Sequence, residues 1–475
     1  MTDRVSTGID GLDAILNGGF PRGSLILLAG NPGTGKTAFS MQFIVRGAEL
    51  GETGVYVSFA EGRETLLENF SSHLGVDLAS LEAEGKLRIL DLVAMREDSM
   101  SAILGGILGE VEALGAKRLV IDSFSAMAQA YKEPIDVRVI IHTVLGKIVR
   151  QMNCTTVMIE EVPIGKAVVG AGIEEFMADG LIMLRVDKLD GRLLRDLEII
   201  KLRGVEPGER ELAFTLKDGF KALLPLKPKL TVKAESFQPI PDPPGRYSTG
   251  SEDLDLMLGG GLPKGSLTLL EVAEKTSTLE YQILIDPIAA NFIAQGRGVL
   301  NIPPSGVDAT NIVDRASSYG IEEDAINRFM RVCELFEPYS EQKPYTFTVK
   351  GRDINEDLEE FIRIVKELER TTGQPILAIV GLDTLTAIYG EEACIRTLSL
   401  GAIKSKMFGA AVIYLAKPGY EGLTEKFSSI ADINLRLTRE HGAPLLYGIK
   451  PRTGLYAVDI DTSRGYLLPK LTPIV

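Results

Sequence analysis

One stretch of this chain occurs twice. RVSTGIDGLDAILNGGFPRGSLILL starts at Arg4, and RYSTGSEDLDLMLGGGLPKGSLTLL starts at Arg246. The copies align without a gap at an offset of 242 residues, and about 15 of their 25 positions are identical. Self-similarity of that length means a duplicated domain, not a shared turn. The 475 residues therefore read as two copies of one fold, 1–226 and 246–475, joined by 227–245. The joining stretch holds Pro228, Pro239, Pro241, Pro243 and Pro244, the composition of an extended, stiff linker.

In the first copy, apolar runs at residues 25–29, 54–59, 86–92, 118–122 and 155–160 alternate with helical stretches such as 101–114 and 137–152. Strand–helix alternation predicts an α/β fold, a twisted and mostly parallel sheet flanked by helices. Beyond about Gly180 the pattern turns strand-rich, at 181–186, 195–202 and 212–216, which predicts an antiparallel extension. The second copy keeps the same order.

Directly after the run at 25–29 comes Gly30-Asn31-Pro32-Gly33-Thr34-Gly35-Lys36-Thr37, which fits G-x-x-x-x-G-K-[ST] at every fixed position. Its glycines let the backbone curl so that several N–H groups face one phosphate, and the following helix adds its positive end. Lys36 is expected to reach the β- and γ-phosphates, and the Thr37 hydroxyl to ligate Mg²⁺. A nucleotide hydrolase also needs a carboxylate for the metal at the end of a neighbouring apolar strand. Asp122, after Leu119-Val120-Ile121, fits that role. Glu61, just past the run at 54–59, stands where strand ends line a ligand crevice and can orient the attacking water. Glu64 is close enough to compete for that role. Lys201 and Arg203 alternate on one strand face. On spacing alone they read either as a solvated face or as cations reaching a neighbouring subunit's nucleotide.

In register, the second copy has lost this chemistry. Gly30 becomes Val272, Gly35 becomes Ser277, Lys36 becomes Thr278, Thr37 becomes Leu279 and Glu61 becomes Ser305. Charged hydrogen bonds are worth ~1.5–3 kcal/mol each, so their joint loss predicts a second domain that does not hydrolyse ATP. Asp383, Lys450 and Arg452 look like retained counterparts of Asp122, Lys201 and Arg203. They read as structural carry-over, with Arg452 acting on a first-domain site as the sharper alternative.

The formal net charge is −14, which weighs against a chain that coats nucleic acid by neutralising phosphates. Only short basic stretches occur, such as Lys227, Lys229 and Lys233. No run of 18 apolar residues is present, so no membrane insertion is expected. The polar start, Met1-Thr2-Asp3-Arg4, is not that of a signal peptide. Cys154, Cys333 and Cys394 are scattered, as are His73, His142 and His441. They imply neither a disulfide framework nor a zinc site, and point to a reducing cytoplasm.

The opening STGIDGLD-x-x-L-x-G-G-F-P-x-G-S, the loop GNPGTGKT-x-F-S-x-Q-F, the segment from Gly172 to Asp179 and the run Leu197-Glu198-Ile199-Ile200-Lys201-Leu202-Arg203-Gly204 together resemble the KaiC family of RecA-like ATPases. The resemblance covers nearly the whole chain as a tandem pair and is specific in its first half. It implies two RecA-like P-loop domains, ATP as nucleotide, and a six-fold ring with sites between subunits. It also implies that Lys201 and Arg203 act in trans on the neighbour's ATP. Where the family often has two glutamates after the second strand, this chain has Ala60 and then Glu61. The phosphate-accepting residues of clock members fall on Ser428 and Ser429. Without a phosphate loop in that half, clock-type autophosphorylation is not expected.

The resulting expectation is a cytoplasmic, slowly ATP-hydrolysing, Mg²⁺-dependent regulator. Its first domain acts at subunit interfaces, and its second serves as a scaffold or a platform for a regulatory protein. A nucleotide-gated switch with negligible turnover is the alternative. A recombinase-like DNA filament is disfavoured by charge.

Overall fold

The computed structural model describes residues 3–93, 100–128, 146–163, 178–226, 236–335 and 343–475. The chain forms two compact units, Met1–Leu224 with Pro473–Val475, and Pro225–Thr472. Lys227, Lys229, Lys233, Pro228, His142, residues 137–145 of the expected helix and residues 172–177 of the family segment lie outside the described residues.

The first unit is built on a nine-stranded sheet. Five strands, Leu87–Asp91, Gly54–Ser58, Arg118–Asp122, Thr155–Glu161 and Leu25–Gly30, lie side by side in that order, all parallel. Gly180–Leu189 continues parallel to Leu25–Gly30. Then Arg192–Leu202, Glu211–Thr215 and Lys221–Ala222 turn back antiparallel. Leu25–Gly30 is buried at every residue, as expected for a central parallel strand covered on both faces. One face packs under helix Lys36–Glu49, through Phe39, Phe43 and Ile44. The other packs under helix Met100–Leu114, through Leu104, Ile107 and Val111.

The duplicated opening motif is structural. Asp13, in helix Asp10–Ile15, accepts from Ser6 Oγ at 2.6 Å and from Thr7 N and Oγ1 at 2.8 Å each. In the second unit Asp255 holds Ser248 and Thr249 in the same way. Gly19 and Gly261 are both required. A Cβ on either would lie 2.1 or 2.2 Å from the carbonyl oxygen of Val5 or Tyr247, far inside contact distance.

The second unit carries a ten-stranded sheet. Leu267–Val272 takes the place of Leu25–Gly30, between Ala411–Ala416 and Ile433–Glu440. Thr346–Val349 is a parallel edge strand with no counterpart among the described residues of the first sheet. Residues 236–245 belong to this unit. Phe237 is buried against Tyr319 and Tyr466, and Asp242 pairs with Arg297 at 2.6 Å.

Arg118, at the start of its strand, is completely buried in the first unit. It donates to Glu52 and to the Ser6 and Phe43 carbonyls, each at 2.7 Å. Arg118→Ala leaves these acceptors without their donor, so we expect it to destabilise the first unit by ~3–5 kcal/mol. Urea unfolding checks this, and a change below the fitting error would contradict it.

Candidate nucleotide site

Residues 31–35 connect Leu25–Gly30 to helix Lys36–Glu49. Gly33 and Gly35 take φ of 79° and 100°, open to glycine without steric cost. The loop is braced from outside. Asn31 Nδ2 donates to Val162 O at 2.8 Å, and Arg195 Nη1 donates to Gly33 O at 3.1 Å. The first N–H groups of the helix have no partner within it and point out of its start.

Lys36 is turned inward, and its Nζ donates to Gly30 O and Asn31 O, both at 2.9 Å. Burial draws its ammonium below the usual lysine range, against the attraction of Glu161, Asp122 and Glu160. Thr37 Oγ1 donates to Asp122 Oδ2 at 3.0 Å, and the buried Tyr56 hydroxyl donates to the same oxygen at 2.6 Å. Burial raises the Asp122 carboxyl, although the Tyr56 and Thr37 bonds and the nearby Lys36 oppose this. A hydroxyl and a carboxylate at hydrogen-bond distance are the oxygen ligands a hard divalent ion takes. An ion there would offset the cost of burying Asp122 charged. The residues fit Mg²⁺ held by Thr37 and Asp122.

Strand register brings Glu61 to the same end of the sheet. Ser58 lies opposite Asp122. The Ser58 hydroxyl then fixes the turn by donating to Glu61 O at 2.6 Å and accepting from Glu61 N at 3.1 Å. The Glu61 side chain is exposed, and its charge helps raise the Tyr56 phenol. Glu64 lies in the first turn of the next helix, Arg63–Leu74.

Lys201 and Arg203 sit at the other end of the sheet. Gly180 is opposite Leu202 on one side and Ile26 on the other. The pair is thus level with the start of the strand whose end bears the loop, about 13 Å away along four residues. Lys201 Nζ donates to Ala178 O at 2.8 Å, and Arg203 lies 3.8 Å from Asp179. Asp179 in turn accepts from Leu25 N at 3.0 Å and pairs with Arg150.

The second unit shows what replaced the site. Its helix Thr278–Ala294 is capped by its own chain, with Ser277 N and Oγ donating to Glu280 Oε2 at 2.6 and 3.0 Å. Glu280 is completely buried, and Arg439 pairs with its other oxygen. The match of Asp383 to Asp122 is corrected by the register. Carried through the paired strands from Leu25 and Leu267, the place of Asp122 falls on Gly381. Asp383 lies two residues later, in helix Leu382–Tyr389. There its Oδ2 accepts from Ser305 N at 3.0 Å and lies 3.7 Å from Lys417. A Cβ at residue 381 would be 2.4 Å from Pro304 Cα, so no side chain fits where Asp122 stands in the first unit. Lys450 repeats the bond of Lys201, donating to Ala431 O at 2.5 Å, and Asp432 repeats that of Asp179 to Leu267 N at 3.0 Å.

Sequence reading missed Tyr56, Arg195 and the pair Glu160 and Glu161 that ends the strand beside the loop. Only the glutamate pair carried a signal, two carboxylates at the end of an apolar run. Gly381→Ala is expected to cost the second unit ~1–3 kcal/mol through overpacking. Unchanged stability in chemical denaturation would show that the loop at 303–304 yields freely.

Residues 5–224 match the family model of the KaiC ATPase, and residues 236–340 match GvpD basic region 2. In this chain that second span holds seven Lys and Arg against fifteen Asp and Glu, so it is acidic here. The circadian clock oscillator protein KaiC of Synechococcus elongatus is 36% identical over 304 residues, 61% of this chain and 56% of that protein. A Thermotoga maritima protein named UPF0273 is 34% identical over 232 residues, 46% of this chain and 94% of that protein. Protein GvpD1 of Halobacterium salinarum is 25% identical along 95% of this chain and 93% of its own length. The chain thus spans little more than half of the KaiC protein it matches, whereas 95% of it matches GvpD1 at lower identity.

Proposed function

Since the chain belongs to the KaiC-like ATPases of the RecA superfamily, we propose that it is an ATP-binding, ATP-hydrolysing regulator with one working site per chain, in the first unit. The observation that carries this reading is the convergence of Lys36, Thr37 and Asp122 at the mouth of a glycine loop. Bound Mg²⁺ supplies charge neutralisation on the phosphates. Loop N–H groups and Lys36 bind and orient the triphosphate, Thr37 and Asp122 hold the ion, and Glu61 orients water toward the γ-phosphate.

Lys201 and Arg203 complete the site of the next subunit in a ring, a reading supported by their place at the far end of their own sheet. The Lys201 bond to Ala178 O is also a local brace, because Lys450 makes the same bond where no nucleotide loop exists. Arg203 is therefore the better candidate for contact with ATP in trans. The second unit acts as a scaffold or partner platform. Among the described residues no helix is long and apolar enough to cross a membrane.

Phosphate release by purified protein tests the enzyme reading. Lys36→Ala, Glu61→Gln and Arg203→Ala should each lower turnover at least ~100-fold. Equal release from all variants would defeat it, and ATP-dependent assembly without release would make the protein a switch. Mixing Lys36→Ala chains with Arg203→Ala chains should restore part of the turnover, since one contributes the loop and the other the arginine. No recovery in mixed rings would remove the trans role.

A further inference from the structure

The second unit contains a cavity of about 50 Å³ beneath helix Thr278–Ala294, walled also by helix Ala309–Ser318 and strand Val299–Ile302. One water needs roughly 10–15 Å³ on this measure, so the space admits a molecule of a handful of non-hydrogen atoms. Strand register explains its origin. Asn301 occupies the place that Tyr56 holds in the first sheet. There the phenol ring is fully buried and reaches Asp122. Here a shorter carboxamide stands over a strand whose corresponding carboxylate is missing, and the volume of the ring is left open.

One polar group at this cavity, Asn301, is not fully satisfied by the chain. Asn301 is 6% exposed and its Nδ2 has no hydrogen-bond partner, while the Tyr281 hydroxyl, 3% exposed, is close to Thr278. Arg315 Nε is already paired with Asp286 Oδ2 at 3.0 Å. A buried donor left unmade is costly, and Asn301 Nδ2 beside this void asks for an acceptor inside it. The remaining wall is apolar, with Ile285, Ala289, Ile302 and Met330. The only lining charges are Asp286 and Arg315, which face each other. A ligand with net charge would therefore enter without a counter-charge.

We propose that this cavity is a binding site for a small uncharged molecule with a carbonyl acceptor, held by Asn301, and a short branched apolar body. Pro303 and Pro304, which close the place that Asp122 holds in the first unit, line the same space. An occupant bears directly on that segment.

Isobutyramide is a suitable probe, with isobutyrate as its charged counterpart. Saturation-transfer NMR on the full chain should show saturable binding of isobutyramide at about millimolar affinity, as its size allows. Isobutyrate should bind at least ten times more weakly. Asn301→Tyr, which returns the first unit's residue, should abolish the signal by filling the space. Asn301→Leu, which keeps the volume and removes the donor, should weaken it at least tenfold. Circular dichroism melting establishes that each variant is folded. No saturable binding to the wild type, meaning ordered water only, would overturn the proposal, as would equal binding by Asn301→Tyr or by isobutyrate.

Discussion

A carboxylate buried in a protein must meet a cation or hydrogen-bond donors, or it stays protonated. Asp122 states this condition for the first unit. Tyr56 and Thr37 both donate to one of its oxygens, Lys36 lies nearby, and burial still pushes its carboxyl upward. A site in that condition gains from a divalent ion and the phosphates that accompany it. The second unit meets the same condition internally. Glu280 is answered by Ser277 and Arg439, while one oxygen of Asp383 meets Ser305 N and Lys417 and the other has no hydrogen-bond partner. The second unit builds the compensation of Glu280 into the chain.

The rest of the architecture follows from how the strands are stacked. Parallel pairing sends the ends of Leu25–Gly30, Gly54–Ser58, Arg118–Asp122 and Thr155–Glu161 to one edge. The loop, Asp122, Glu61 and the Glu160–Glu161 pair therefore meet although they are far apart in sequence. The antiparallel return through Arg192–Leu202 sends Lys201 and Arg203 to the opposite edge. A single protomer cannot bring Arg203 to its own loop without breaking that register.

Much of this was legible in the sequence. Apolar runs, the glycine loop and the repeat each depend on short-range patterns, and the strands at 118–122 and 155–161 fall where those patterns place them. Asp383 was misread because its local context, an apolar run followed by an aspartate, repeats that of Asp122. Only cross-strand register shows that the chain has turned into a helix two residues too early. Tyr56 carried no signal, since a tyrosine in an apolar strand looks like core until Asp122 is placed beside it. The prolines of residues 236–245 suggested an extended linker. Their neighbours Phe237 and Asp242 instead find partners in the second unit, contacts that no local composition reveals.

Equilibrium binding of ATP with Mg²⁺, titrated calorimetrically into the intact chain, tests the division between the two units most directly. A single nucleotide per chain is predicted, with binding lost in Lys36→Ala and kept in Thr278→Ala. Two nucleotides per chain, or undiminished binding in the Lys36 variant, would contradict the account.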